Sequence, residues 1–306
     1  MRRTAVIVAL LVIPAASALA RQDPPSLTTQ FSANSGEASP AGPQHQHDAT
    51  SAGWQWAVEA TAFGGYNYQY RKFRDFDEVE SQNWLMGTLS KSFGSSSRLR
   101  IDGMFSFEPF TLRDIGSPQV FQTGETFNGG PLIDYQHPHD LIMNLGAEYS
   151  RSVGATTVSL QGYIVGPAPI GPPVFMHRAS AAENLLAPLS HHNLDATHIT
   201  PGVVAMGLAW KGFKIEAGTF HGQEPDENRL DLDVSKLDSY STRVSWAGGP
   251  WHFQVSGADL KTPERKSPYD ATRITASASY FRGDLDRSPG SPRQDRTARC
   301  SAISRP

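Results

Sequence analysis

Apolar and polar residues alternate through most of the chain from Trp54 to Phe281, the two-residue period of strands with unlike faces. Trp54, Trp56, Val58, Ala60 and Ala62 share one face, with Gln55, Glu59 and Thr61 opposite. Ile101, Gly103, Phe105 and Phe107 lie against Arg100, Asp102 and Ser106, and Leu141, Met143, Leu145, Ala147 and Tyr149 against Asn144 and Glu148. Around Lys211-Gly212, Val204, Met206, Leu208 and Trp210 join Phe213, Ile215 and Ala217 on one face of a hairpin, with Lys214 and Glu216 behind. Tyr240, Thr242, Val244 and Trp246, then Trp251, Phe253 and Val255, repeat the pattern across Gly248-Gly249-Pro250. The alternation predicts about ten strands, near residues 54–70, 80–93, 97–109, 139–152, 155–166, 201–211, 212–221, 238–247, 250–260 and 271–281.

The connections differ as much as the faces. Tight turns fall at Gly94-Ser95-Ser96, Val153-Gly154-Ala155, Lys211-Gly212 and Gly248-Gly249-Pro250, whereas two of the intervening loops run to about thirty residues. Short turns at one end and long loops at the other are the connection pattern of a transmembrane β-barrel, with short turns in the periplasm and long loops outside. A soluble β-sandwich also alternates, but nothing in it requires every second connection to be long. The expected fold is therefore all-β: an antiparallel transmembrane β-barrel with long outer loops and a short helix. Glu59, Arg100, Asp102, Glu148, Glu216, Arg243 and Arg273 then line its lumen, as water-facing groups or as paired charges. Tyr66, Tyr68 and Tyr70 suit an aromatic girdle.

Residues 1–20 combine Arg2 and Arg3, an apolar run from Ala5 to Ile13 and Ala18-Leu19-Ala20, the pattern of a cleaved secretory signal peptide. Residues 21–52, rich in Pro, Ser, Gly and Gln, read as a flexible periplasmic linker, and residues 53–281 as the barrel. Residues 282–306 turn rich in Arg, Ser and Pro and lose the alternation. A barrel normally finishes on an amphipathic strand that the assembly machinery reads, so this tail is expected to be frame-shifted, leaving the barrel truncated, or else disordered.

A hydrophobic content of 39 % and a negative mean hydropathy fit a barrel as well as a soluble protein, because each barrel strand turns every second residue inward. The net charge of −3 becomes −5 without Arg2 and Arg3, which argues against nucleic acid as a partner. Outer-membrane lipid and the barrel-assembly machinery are the expected partners. The one cysteine, Cys300, lies in the tail, so no disulfide framework holds the barrel.

Candidate chemistry gathers in the long connections. Of the ten histidines, His137, His139, His177, His191, His192, His198 and His221 fall in them or at their edges. In an extended chain His137 and His139 project to the same side and can grip one ion. The next loop carries Met176-His177-Arg178 and then His191-His192-Asn193-Leu194-Asp195-Ala196-Thr197-His198. Imidazoles, a carboxylate and a thioether suit a Cu or Zn ion, so the metal candidates are His137, His139, His177, His191, His192, Asp195 and His198. The competing reading makes these histidines the scaffolding of a plug. Ser180 and Glu183 have capping-box spacing and predict a short helix through Leu186, stopped by Pro188. The connection after His221 carries six acids from Glu224 to Asp238 against Arg229 and Lys236, an acidic mouth that favours cations. Its oxygen ligands suit calcium as well, without the spacing of an EF-hand. Ser190, His191 and Asp195 are the residue types of a rim hydrolase, but no GxSxG elbow is present and three residues so close in sequence rarely form a triad. A non-enzymatic role is expected.

Gln122-Thr123-Gly124-Glu125-Thr126, Gln136-His137-Pro138-His139-Asp140-Leu141, Phe175-Met176-His177-Arg178 and Asp195-Ala196-Thr197-His198-Ile199, with Glu224-Pro225-Asp226 and Leu237-Asp238-Ser239-Tyr240-Ser241, form a specific set. Together they resemble an uncharacterised family of bacterial outer-membrane β-barrel proteins, over roughly Trp54 to Phe281. The resemblance implies the barrel fold and the outer membrane. Members continue with further strands, which implies truncation here, and copper or other heavy-metal handling is an expectation from the resemblance alone. The expected function is an outer-membrane barrel whose histidine-rich, acidic outer loops bind or pass a small cation, such as a transition metal. The alternative is a general pore or structural barrel.

Overall fold

The computed structural model describes residues 53–71, 75–120, 126–178, 180–188, 191–265, 267–281 and 298–305, the last stretch by its backbone. The expected signal peptide and linker, residues 282–297 of the tail, Gln122 to Glu125 and Ser190 lie outside the described residues. Eleven strands pair in chain order into one antiparallel sheet: β1 (Gln55–Ala62), β2 (Asn83–Phe93), β3 (Ser97–Phe105), β4 (Ile142–Val153), β5 (Thr156–Gly166), β6 (Thr200–Trp210), β7 (Phe213–Phe220), β8 (Ser239–Gly248), β9 (Trp251–Leu260), β10 (Ala271–Phe281) and β11 (Ala298–Arg305). Among the described residues no pairing joins β1 to β11, so the sheet is open along that seam. No helix among them is long and apolar enough to cross a membrane.

The four tight turns join β2 to β3, β4 to β5, β6 to β7 and β8 to β9, which puts them at one end of the sheet and the long connections at the other. At Lys211-Gly212 both φ angles are positive, 47° and 83°, the mirror-image turn whose twist matches a two-residue hairpin.

The two faces of the sheet invert the usual order of a water-soluble protein. Val158, Leu208, Ile215, Val244 and Val255 lie opposite one another in register across β5 to β9 and are all exposed. One residue along, Ser159, Gly207, Glu216, Arg243, Ser256 and Thr275 form the neighbouring row across β5 to β10 and are buried. Aromatic rings band the exposed face at the short-turn end: Phe213 and Trp246 lie 6.3 Å apart, Trp246 and Phe253 5.8 Å, and Trp251 and Tyr280 4.8 Å.

The connection 167–199 covers the polar face. Val174, Phe175, Met176, Ala181, Ala187 and Ile199 pack with Met104, Met143 and Val165 of the strands, while Ala168 and Ile170 join Tyr163, Val203, Phe220 and Leu260. Burying this apolar surface between loop and sheet is what holds the connection inward.

Several expectations need correction. Residues 54–70 are not one strand: β1 stops at Ala62, and Gly65–Gln69 leaves the sheet to pair with Phe76–Glu80. Tyr66, Tyr68 and Tyr70 stand exposed there instead of in the aromatic band. The strand expected over 97–109 ends at Phe105, and Glu108–Thr111 forms a helical turn, α1. No helix runs from Ser180 to Leu186, which is a run of turns; the helix lies after Pro188, at His191–Leu194 (α2). Finally, Met143 faces inward and is 1 % exposed, because a register shift against β3 between Ile142 and Asn144 turns it out of the apolar row. The tail, expected to lack strand structure, pairs over Ala298–Arg305 with β10 and raises the count to eleven.

Candidate metal centre

The long connections bring three histidines together beneath the sheet's covered face. His139 comes from the connection between β3 and β4, His191 from α2, and His198 from the 3₁₀ turn Ala196–His198. One ring nitrogen of each offers a ligand atom, and these atoms all lie within 4.8 Å of one another. The ring centroids are 6.3 Å apart for His139 and His191, 5.6 Å for His139 and His198, and 5.2 Å for His191 and His198.

Each imidazole is held by its Nδ1. The His139 Nδ1 lies 2.8 Å from Glu108 Oε2, an oxygen that also accepts from the His139 backbone N–H at 2.9 Å. The His191 Nδ1 lies 2.7 Å from Asp195 Oδ1, and the His198 Nδ1 3.0 Å from the Asp195 carbonyl oxygen. Such bonds orient metal-binding histidines, fix the proton on Nδ1 and leave the Nε2 lone pair for the ion. Nε2 of His139 and Nε2 of His198 are both buried without a hydrogen-bond partner. Buried polar atoms are normally satisfied, and two orphaned ring nitrogens in one group of three imidazoles are placed where they could hold an ion.

Glu108 reaches His139 because α1 begins where β3 ends, and its amide is bound in turn by Ser106 Oγ at 3.1 Å. Asp195 is buried to 2 % exposure and pairs through Oδ2 with Arg178 at 3.0 Å, so one carboxylate bridges the guanidinium and His191. Phe175 closes the site, edge-on to His191 at 4.9 Å. Burial opposes a charge on His139, but the Glu108 carboxylate outweighs it and holds the imidazole above its ordinary range. His198 goes the other way: burial, with His191 and His139 beside it, pushes it well below that range and keeps it neutral around pH 7.

The seven metal candidates therefore divide. His139, His191 and His198 converge, whereas Asp195 orients His191 from behind. His137 lies outside that group, its ring tilted to that of His139 at 6.5 Å between centroids. His177 packs edge-on against Trp84 at 5.1 Å. His192, next to His191 on α2, turns to Glu264 at 2.9 Å. Of the expected lumen residues, Asp102 is bound by Arg100 at 2.8 Å, Glu148 by Gln161 at 2.6 Å, and Glu216 by Lys214 and Arg243 at 2.7 and 2.8 Å. Arg273 is buried, while Glu59 stands exposed on edge strand β1. In the acidic connection, Arg229 pairs with Asp140 and Arg265 with Asp226 and Asp233, so these acids knit loops together instead of being merely solvated. Asp226, Asp231 and Asp233 also converge, although nothing beyond their acidity marks them as a site. Sequence reasoning missed Glu108 and Glu264, which no local spacing connects to any histidine.

Gly171 places α2 over the sheet. Its φ is +73°, a Cβ there would lie 2.2 Å from the Leu194 carbonyl oxygen, its N–H donates to Ser256 Oγ at 2.8 Å and its carbonyl accepts from Arg243 Nη1 at 3.1 Å. Gly171→Ala adds this backbone clash to a left-handed strain of about 1–2 kcal/mol. Gly94→Ala, at φ +65° with nothing within 4 Å, adds the strain alone. Thermal melts are expected to rank Gly171→Ala clearly below Gly94→Ala; equal melting points would show that the loop relaxes freely at Gly171.

No protein-family model matches the chain, and no curated protein matches it in sequence.

Proposed function

We propose that the protein is a bacterial outer-membrane β-barrel that binds or passes a transition-metal ion, copper or zinc, at His139, His191 and His198. The observation that carries the metal reading is the set of three imidazoles with every Nδ1 engaged and the Nε2 atoms of His139 and His198 buried without partners. An all-nitrogen set of imidazoles suits Cu or Zn over Mg or Ca, which prefer oxygen. Glu108 and Asp195 serve as the carboxylates behind the ligands.

The membrane reading is supported by the inverted faces, the aromatic band and the alternation of short and long connections. A row of exposed Leu, Ile and Val backed by a buried row of Ser, Glu, Arg and Thr suits lipid outside and a polar interior. On this reading Leu208→Arg, on the exposed row, lowers stability in lipid vesicles by about 2–4 kcal/mol. Urea unfolding in vesicles measures it, and an unaffected midpoint would mean that the face meets water.

The site is tested by calorimetric titration with Cu(II) and Zn(II) of the detergent-folded chain carrying H45A and H47A, which removes the two linker histidines. Saturable binding at micromolar affinity or tighter is expected. Absence of binding to either ion would leave the general pore or structural barrel, with the histidines as scaffolding for the covering loop.

A further inference from the structure

We propose that His192, Glu224 and Glu264 form a second cation site, nearer to solvent than the three-histidine centre and suited to a divalent ion of mixed nitrogen and oxygen preference, such as Zn(II) or Mn(II). The three residues come from three different connections: α2 in the loop between β5 and β6, the loop between β7 and β8, and the loop between β9 and β10. Their ligand atoms all lie within 4.8 Å of one another; the His192 Nε2 stands 2.9 Å from Glu264 Oε1 and 4.0 Å from Glu224 Oε1. Successive residues of a helix point about 100° apart, so His191 and His192 serve different centres from neighbouring positions on α2.

Glu224 and Glu264 bring two carboxylates to His192 from separate loops, a mixed oxygen and nitrogen donor set that one divalent cation can bridge. The loops are fastened together here, since the Glu224 backbone N–H donates to the Pro263 carbonyl oxygen at 3.1 Å. The side chains of Glu224 and Glu264 keep 24 % and 28 % of their exposure, against 10 % for His192, so an ion can reach the carboxylates from water and gain the imidazole on the inner side. One imidazole and two carboxylates suit Zn(II) and tolerate Mn(II), whereas three imidazoles without a carboxylate disfavour Mn(II). The two sites thus differ in exposure, in charge and in the ions they accept. This second site stands independently of the three-histidine reading.

The test uses the detergent-folded chain carrying H45A and H47A, with Mn(II) followed by electron paramagnetic resonance and Zn(II) by calorimetry. Two Zn(II) ions per chain are expected, with one of the two sites also taking Mn(II). Glu264→Gln keeps a side-chain partner for His192, and so the loop contact, while removing a charged ligand; it should weaken Mn(II) binding by at least about tenfold. Glu224→Gln, which leaves the His192–Glu264 contact untouched, should do the same. His198→Ala should leave Mn(II) binding intact, which separates failure of this site from failure of the inner one. Unchanged Mn(II) affinity and two Zn(II) ions in both Gln variants overturn the second site and leave His192 and Glu264 as a plain loop contact.

Discussion

Replacing His198 with Ala is expected to lower Zn(II) or Cu(II) affinity at the inner centre by at least about 100-fold, since even outer-shell partners of a metal site are worth 10–100-fold. His198 is the member already neutral around pH 7, and the only one whose Nδ1 is held by backbone, so it brings a prearranged lone pair. The sheet should survive, because the lost bond to the Asp195 carbonyl is worth about 1 kcal/mol. Thermal melts with and without ion separate the two effects. At an ion concentration 100 times Kd the inner centre stabilises the unsubstituted chain by about 2.7 kcal/mol, whereas a 100-fold weaker inner centre adds no more than about 0.4 kcal/mol to the variant under the same conditions. An equal gain in both would mean that the ion sits elsewhere.

Asp195 carries the second large effect. Its carboxylate is 2 % exposed and joins Arg178 to His191, so the two isosteric and truncating changes diverge. Asp195→Asn removes the charge that holds His191 in the Nδ1–H form but keeps an oxygen to accept from Arg178; it should cost about 10–100-fold in metal affinity and less stability than truncation. Asp195→Ala leaves the Arg178 guanidinium buried with no countercharge, a loss of about 3–5 kcal/mol. Arg178 has no slack to absorb it, because its Nε and Nη1 are already buried without partners. Double replacement by Asp195→Ala and Arg178→Met should recover much of that stability while affinity stays low. Measured by urea unfolding, the single Ala variant matching the unsubstituted chain would show the pair to be structurally idle.

The strands were legible because the exposed face repeats every second residue, and hairpins such as Lys211-Gly212 mark their own turns. The same rule failed wherever tertiary packing overrode local pattern. Met143 continues the apolar alternation of Leu141 and Leu145, yet a register shift turns it inward onto Val174 and Phe175, contacts invisible in the local sequence. Tyr66, Tyr68 and Tyr70 alternate as well as any barrel strand but pair with Phe76–Glu80, since the chain has already left the sheet after Ala62. At the site, the histidine-rich loops contain all three converging histidines, but the sequence could not separate them from His137, His177 and His192. Which ring nitrogens meet depends on partners 31 and 72 residues away, Glu108 for His139 and Glu264 for His192. The His191–Asp195 contact was the exception, an i,i+4 pair across a short helix that spacing alone could have suggested.

X-ray absorption on the zinc-loaded chain, in the E224Q/E264Q background so that only the inner centre is filled, tests the three-histidine centre most directly. Three imidazole nitrogens at about 2.0–2.1 Å with one further light ligand are expected. A first shell dominated by oxygen, or no retained zinc, would contradict the convergence of His139, His191 and His198 on a metal ion.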